Sequence, residues 1–319
     1  MPTSAAGTRQ RVAVIMNPIK KTDVDIRALV DRVCRAEGWE EPLWLETTKE
    51  DPGRGMAREA LDAGVDLVIA AGGDGTVRCV AAELTGTDTP LGLLPLGTGN
   101  LLARNLDIAV DDPEAAVTAA LTGADRNIDV VHVTLDRALK GDVFLVMAGL
   151  GYDAALMGDT NDTLKDNVGW LAYVDAGIRN LPGKPVKSTI RLDGGKEISG
   201  HPRSVMGGNC GKIMGGLEIF PGARIDDGLL DIMTMAPRGR FGWFGVVAGL
   251  LRRGKGSTSV DYYQCKEAEI FTEVPQEFEV DGDHLGKASH VAFRVDPSAL
   301  RVRMPHGKKD PAILTDPRV

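Results

Sequence analysis

Cysteine is scarce in this chain of 319 residues: there are 4, at Cys34, Cys79, Cys210 and Cys265. No two form a C-x-x-C pair, so a disulfide frame and a cysteine zinc site are both excluded. The four read as reduced thiols that fill space as small apolar groups. The 5 histidines form no H-E-x-x-H and no cluster, which removes zinc-hydrolase chemistry. Long hydrophobic runs are missing too. The most apolar stretch, Phe241 to Leu251, has 11 residues, against the ~20 that cross a bilayer. Met1 to Gln10 lacks the apolar centre of a signal peptide. Together these absences predict a soluble, cytoplasmic protein. Positive charge is in deficit, with 37 Lys plus Arg against 45 Asp plus Glu and a net charge of −8. Such a surface repels a phosphate backbone, so nucleic acid is not expected as a main partner.

What remains is a packed globular composition, 43% hydrophobic and 26% charged. The length favours two domains at roughly 100–200 residues each. Over the first 125 or so residues, strand and helix signals alternate. Arg11 to Met16 reads as a buried strand ending at Asn17-Pro18. Thr22-x-x-Asp25 has the form of a capping box before the helical spacing of Ile26, Leu29, Val30 and Val33. Strands are predicted at Pro42–Glu46, Val65–Ala71 and Leu91–Leu94, and helices at Met56–Ala63, up to Leu84, and at Pro113–Leu121. This alternation implies a doubly wound parallel sheet. Beyond Asp125 the runs are β-like: Val130–Leu135, Val143–Ala148, Val186–Leu192, Leu229–Met235, Glu267–Thr272, Glu277–Val280, His290–Val295 and Leu300–Met304. Only Val168–Asn180 and Phe241–Arg253 read as helices there, so a second, mainly antiparallel domain is expected.

Two loops carry the chemistry. Gly72-Gly73-Asp74-Gly75-Thr76 follows a strand and opens a helix. There glycines let backbone N–H groups approach an anion, and the helix end adds partial positive charge. Asp74 would repel a bare phosphate, a conflict that a bridging Mg²⁺ resolves. The alternative is a tight strand-to-helix turn in which glycine serves geometry alone. Pro95-Leu96-Gly97-Thr98-Gly99-Asn100 repeats the arrangement 22 residues later, and in a doubly wound sheet two such loops flank one nucleotide. Alone, the second loop lacks the final glycine of a dinucleotide fingerprint, because Leu102 occupies that position. Two other motifs fail. Gly249 to Lys255 imitates a P-loop but follows a helical segment and has Gly256 in place of Ser or Thr. Asp281-x-Asp283-x-x-Gly286 imitates an EF-hand start but has Ala292 where the bidentate carboxylate belongs.

The first loop, the run Pro95 to Asn100 and Ala103-Arg104 resemble the soluble bacterial diacylglycerol kinases, relatives of sphingosine kinases and, more distantly, of NAD kinases. The resemblance extends through Asn17-Pro18, Thr47-Thr48, Asn209-Cys210-Gly211, Pro221 to Asp231 and Val280 to Asp283, in the family's order and over nearly the whole chain. It implies an N-terminal doubly wound α/β nucleotide-binding domain, a C-terminal β-sandwich-like domain, and an active site for ATP and Mg²⁺ in the cleft between them. The expected bounds are 9–128 for the first domain, 129–295 for the second, and 296–305 for a last strand returning to the first. By register the nucleotide is held by Thr48, by Gly72, Gly73, Asp74, Gly75 and Thr76, and by Gly97, Thr98, Gly99 and Asn100. A structural Mg²⁺ takes Asp227 with the carbonyls of Arg224 and Leu229. The general base falls on Asp283, the last residue of a D-G-E motif that reads Asp281-Gly282-Asp283 here, and Asp74 serves the Mg²⁺–phosphate network.

The chain departs from many relatives at three places. Arg78-Cys79 stands where they have Asn-Glu, Leu101 where they have Asp, and Asp283 where they have the longer Glu. Spacing alone reads Asp226, Asp227 and Asp231 as a polar turn and Asp283 as a hairpin residue; the family register reads them as site residues. Phe241, Trp243, Phe244, Val247, Leu250 and Leu251 share a helical spacing flanked by basic residues. That pattern fits a helix docking at the inner face of the membrane and a buried helix equally. The expectation is an ATP- and Mg²⁺-dependent lipid kinase acting on diacylglycerol and meeting the membrane peripherally, with a homodimer as one possible state. The alternatives are a kinase of a sphingoid base, glycolipid or NAD, and a nucleotide-binding regulator without catalysis.

Overall fold

The structure is a computed structural model, which describes residues 9–20, 22–136, 138, 141–151, 185–213, 218–237 and 259–306. The expected helices Val168–Asn180 and Phe241–Arg253, and the P-loop-like Gly249–Lys255, lie outside these residues. The chain divides into two units, one of 1–128 with 299–310 and one of 129–298 with 311–319.

The first unit is built on strands β1 (Val12–Met16), β2 (Leu43–Glu46), β3 (Leu67–Gly72) and β4 (Leu91–Pro95). They are parallel, in the order β4-β3-β1-β2. All of β3 and β4 is buried, as expected of central parallel strands covered on both faces. Helices α1 (Ile26–Glu37), α2 (Arg54–Asp62), α3 (Asp74–Leu84), α4 (Leu101–Asn105) and α5 (Pro113–Thr122) follow or separate the strands. Asp25, not Thr22, caps α1, accepting the Ala28 N–H at 3.0 Å; the Thr22 hydroxyl instead accepts the Val24 N–H, one turn too early. Ile26, Leu29, Val30 and Val33 face inward, following the expected period. Helix α5 starts at Asp112 and Pro113, and its Ala120 lies so close to β4 that a side chain on Gly92 would stand 2.8 Å from it.

The second unit is antiparallel. Its strands are β5 (Ala124–Leu135, whose start belongs to the first unit), β6 (Asp142–Phe144), β7 (Met147–Leu150), β8 (Ser188–Leu192), β9 (Lys196–Gly200), β10 (Ser204–Gly208), β11 (Leu230–Met235), β12 (Val260–Cys265), β13 (Glu267–Val280) and β14 (Asp283–Met304). The order is β12-β11-β10-β7-β13-β14, with β8 paired to β13 and β9 to β8, and with β5 paired to β14 and β6 to β5. The core centres on Phe144, Phe278 and Phe293, with Ile232, Ile270 and Val291 around them. From Ala299 the chain is part of the first unit, where Val302 of β14 pairs with Leu91 of β4.

Three sequence expectations change here. The single strand at Val143–Ala148 is two, broken at Leu145-Val146, whose N–H groups turn toward the Asp281 carboxylate. Glu267–Thr272 and Glu277–Val280 are one strand, with a register shift between Phe271 and Gln276 around Pro275, which has no N–H to offer the ladder. His290–Val295 and Leu300–Met304 are also one strand, which runs through Asp296-Pro297-Ser298 with Ser298 at φ 56°.

Candidate active site

Strands β3 and β4 are parallel neighbours, with Gly72 in register with Pro95, so the loops that follow them emerge side by side. The order 2-1-3-4 reverses between β1 and β3, and in such sheets ligands bind at the carboxyl edge beside that reversal. The two glycine loops are interlocked. Leu96 N–H donates to the Gly72 carbonyl at 2.9 Å. A side chain on Gly97 would stand 2.6 Å from the Gly73 Cα, and one on Gly99 would stand 2.6 Å from the Asp74 carboxylate. At Gly97 the crowding is by backbone, so glycine is required there; at Gly99 it is by the Asp74 side chain.

Asp74 accepts the Leu101 N–H at 2.6 Å, so its carboxylate ties the first loop to the start of α4. Asn100 closes the second loop on itself, accepting from Gly97 N–H at 3.0 Å and donating to the Gly97 carbonyl at 2.8 Å, with its own backbone left-handed at φ 47°. Arg104 Nε donates to the Gly99 carbonyl at 2.8 Å. Gly73 caps α3 with no side-chain hydrogen bond, and a helix start of this kind carries partial positive charge. Lys20 was not singled out from the sequence, yet its Nζ lies 3.9 Å from where a Gly73 side chain would begin. It sits just past the end of β1, on the same carboxyl edge, and only the strand order shows that it faces the loops. Thr48 is exposed, and its described hydrogen bonds stay within its own turn, where its hydroxyl accepts the Asp51 N–H at 3.0 Å.

In the second unit, Arg224, Asp227 and Leu229 share one loop. Asp227 accepts the Leu229 N–H at 3.0 Å, and the Arg224 guanidinium lies 3.3 Å from Asp226. Burial pushes the Asp227 carboxyl above the ordinary range, against the Leu229 amide and Arg224, which pull it down. Burial, with Asp227 adding to it, raises Asp231 to about 7. Asp129, also not singled out, underlies this loop. It is fully buried and accepts N–H groups from Gly228 and Ser298, each at 2.7 Å. Its carboxyl too is raised by burial, against those two amides. A lone aspartate in the apolar run Ile128 to Val131 was the available signal. Among the described residues, no three His, Cys, Asp or Glu side chains converge as a metal-binding group. The loop carries the Asp226 carboxylate, engaged by Arg224, the Asp227 carboxylate, and backbone carbonyls. These are hard oxygens in a setting where uncompensated negative charge is disfavoured, a donor set that fits Mg²⁺.

Asp281-Gly282 forms the two-residue turn joining β13 to β14, with φ 46° and 88°, the positive values a type I′ hairpin needs. The Asp281 carboxylate accepts N–H groups from Leu145, Val146 and Met147 at 2.9, 2.9 and 3.0 Å. Asn209 continues the network, donating at 3.0 Å to the carbonyls of both Leu145 and Asp129. Buried polar bonds therefore link the hairpin to the Asp227 loop. Asp283 is the first residue past the turn, partly exposed. Close to it stands Glu279, 7% exposed, whose Oε1 has no hydrogen-bond partner.

Comparison with known proteins agrees with this layout. Residues 11–133 match the diacylglycerol kinase catalytic domain, and residues 146–304 match the YegS C-terminal NAD kinase beta sandwich-like domain. A Pseudomonas fluorescens protein named "Probable lipid kinase YegS-like" is 31% identical over 93% of this chain and 96% of its own. A Mycobacterium tuberculosis diacylglycerol kinase is 35% identical over 57% of this chain and 59% of its own. A solved diacylglycerol kinase from Bacillus anthracis, 21% identical, superposes with a TM-score of 0.69 over 94% of this chain and 98% of that one. The α/β unit with interlocked glycine loops, followed by the β unit, defines a two-domain lipid kinase. The chain belongs to the diacylglycerol kinase family, with the YegS-like lipid kinases among its relatives.

Proposed function

We propose that the protein transfers the γ-phosphoryl group of ATP to the hydroxyl of diacylglycerol, giving phosphatidic acid. The observation that carries this reading is the interlocked pair of glycine loops with Lys20 at the sheet's carboxyl edge. Phosphoryl transfer asks for positioning and charge neutralisation more than covalent chemistry, and this edge offers backbone amides, a lysine and one carboxylate. The amides at the start of α3 and Lys20 hold the phosphates, and the glycines keep side chains out of their way. Asp74 would hold a Mg²⁺ ion, which when bound would supply charge neutralisation to the phosphates, and Asp227 with the Arg224 and Leu229 carbonyls would hold a structural ion. Asp283 takes the proton of the attacking hydroxyl. Contact with the membrane surface belongs to the same reading, since the acceptor resides in a bilayer; the helix expected to make it, Phe241–Leu251, lies outside the described residues.

The test is transfer of labelled γ-phosphate to diacylglycerol in mixed micelles, with sphingosine and NAD in parallel. Transfer to diacylglycerol alone supports the reading. Labelling of another acceptor reassigns the substrate, and nucleotide binding without any transfer favours the regulator. Asp283→Asn lowers kcat by ~10²–10⁴-fold with ATP affinity unchanged, because a positioned base contributes about that much. Near-native turnover in that variant removes Asp283 as the base.

A further inference from the structure

Glu279 is a glutamate that the fold places in an apolar setting. It is 7% exposed, on the face of β13 opposite to the core side chains Phe278 and Val280. Directly paired residues in an antiparallel ladder share a face, and the register lines up His284, Glu279, Gly149, Met206 and Met233 across β14, β13, β7, β10 and β11. His284 and Glu279 thus form the polar end of a row that continues, past Gly149, into the buried Met206 and Met233, a flexible and adaptable apolar floor. At its flank Gly149 has no side chain to offer, and the nearest group there is Met206. A carboxyl in such a place ordinarily finds a partner, yet Oε1 of Glu279 has none.

We infer that Glu279 is a specificity-determining residue of the acceptor site, where its carboxyl O–H donates a hydrogen bond to an ester carbonyl of the lipid head beside the reacting hydroxyl. The inference rests on the reading of Asp283 as the base, whose position two residues past the hairpin's first turn residue puts the reacting hydroxyl near this end of the row. Diacylglycerol has the complementary shape: a hydroxyl, an ester carbonyl a few bonds away, and apolar chains beyond. Burial holds the Glu279 proton to higher pH than an ordinary glutamate. Asp283 acts in the same direction and His284 opposes both. The other charges nearby are engaged with one another: His284 pairs with Glu277 at 2.6 Å, and Lys287 with Glu277 at 3.1 Å. From β7 the facing residue is the uncharged Gly149.

The experiment compares KM for a short-chain diacylglycerol with KM for the matching dialkylglycerol, which keeps the hydroxyl and lacks both carbonyls. Wild type prefers the ester by ~10-fold, the scale of one hydrogen bond to a buried group. That ratio falls as pH rises, because the raised carboxyl donates only while protonated. Glu279→Ala brings the ratio close to one with kcat little changed. Glu279→Gln, which preserves shape and a donor and so covers the case in which Ala does not fold, keeps the preference and loses its pH dependence. A purely structural Glu279 would alter melting temperature without altering the ester-to-ether ratio. Equal KM for the two lipids in wild type, or an unchanged ratio in both variants, overturns the inference. Asp283→Asn, run alongside, reports on the base reading through kcat alone. Near-native turnover there fails the base and leaves the Glu279 result to stand on its ratio; no transfer to either lipid by wild type fails the kinase reading itself.

Discussion

The dipeptide Asp-Gly occurs in both units, and it does opposite things in them. In the first unit Asp74-Gly75 opens helix α3, and its loop is fitted closely to the next one, with Gly97 packed on the Gly73 backbone and Gly99 on the Asp74 carboxylate. In the second unit Asp281-Gly282 and Asp193-Gly194 are hairpin turns with positive φ, and their carboxylates reach out to fasten other segments. Asp281 holds Leu145, Val146 and Met147, and Asp193 holds Lys266 and Glu267. One unit shapes its loops by leaving side chains out, the other by anchoring backbone with aspartate side chains, buried at Asp281 and exposed at Asp193. The two designs fail differently under mutation.

The largest effect is expected at Asp281, 5% exposed. Asp281→Ala leaves three buried N–H groups without acceptors, a loss of about 3–5 kcal/mol at the usual cost of such groups. Equilibrium urea unfolding measures it. A loss below about 1 kcal/mol would mean that water replaces the carboxylate, and that the hairpin is held by its ladder alone.

Next comes the first unit's contact of backbone on backbone. Gly97→Ala places a methyl group 2.6 Å from the Gly73 Cα, a clash that no side-chain rotation relieves. The expected cost is about 1–3 kcal/mol, typical of overpacking. A larger proportional loss is expected in ATP affinity, because the loops must part to admit the methyl. Calorimetric titration with ATP checks it. Full affinity in a folded Gly97→Ala protein would show that the interlock is not what shapes the nucleotide loops.

That contrast also explains what was legible in the sequence. Glycine loops after apolar strands are local patterns, so β1 to β4, helices α1 to α3 and the two loops of the first unit were readable, with ends shifted by a few residues. Lys20 was not, because nothing local tells that the turn after β1 meets the turn after β3; only the 2-1-3-4 order does. In the second unit the strand runs were readable, but the breaks were not. Leu145-Val146 looks like uninterrupted strand until Asp281, more than a hundred residues away, claims its N–H groups. The polar strand β9 and the glycine-rich β10 lack the apolar alternation that marks a strand, and partners across the sheet make them strands. The family register, rather than spacing, directed attention to Asp227 and Asp283. It missed Asp129, whose one local mark is an aspartate inside an apolar run, and Glu279, whose burial the sequence does not display.

The smallest effect sharpens the comparison inside the second unit. Asp193, like Asp281, opens its hairpin turn with a left-handed Asp-Gly pair, at φ 49°, though in a three-residue loop between Leu192 and Lys196, and its Oδ1 accepts two N–H groups, from Lys266 at 2.8 Å and Glu267 at 3.0 Å. The geometry of the bonds is therefore similar, but this turn is exposed, so water can take over when the carboxylate is gone. Asp193→Ala is expected to cost no more than about 1 kcal/mol, the net worth of hydrogen bonds whose donors stay solvated. Removing a β-turn aspartate that tolerates positive φ contributes part of even that. Urea unfolding of the Asp193 and Asp281 variants side by side compares an exposed anchor with a buried one. Equal losses would show that the left-handed Asp-Gly start, shared by both turns, sets the stability, and that the three buried amides at Asp281 matter no more than the two exposed ones.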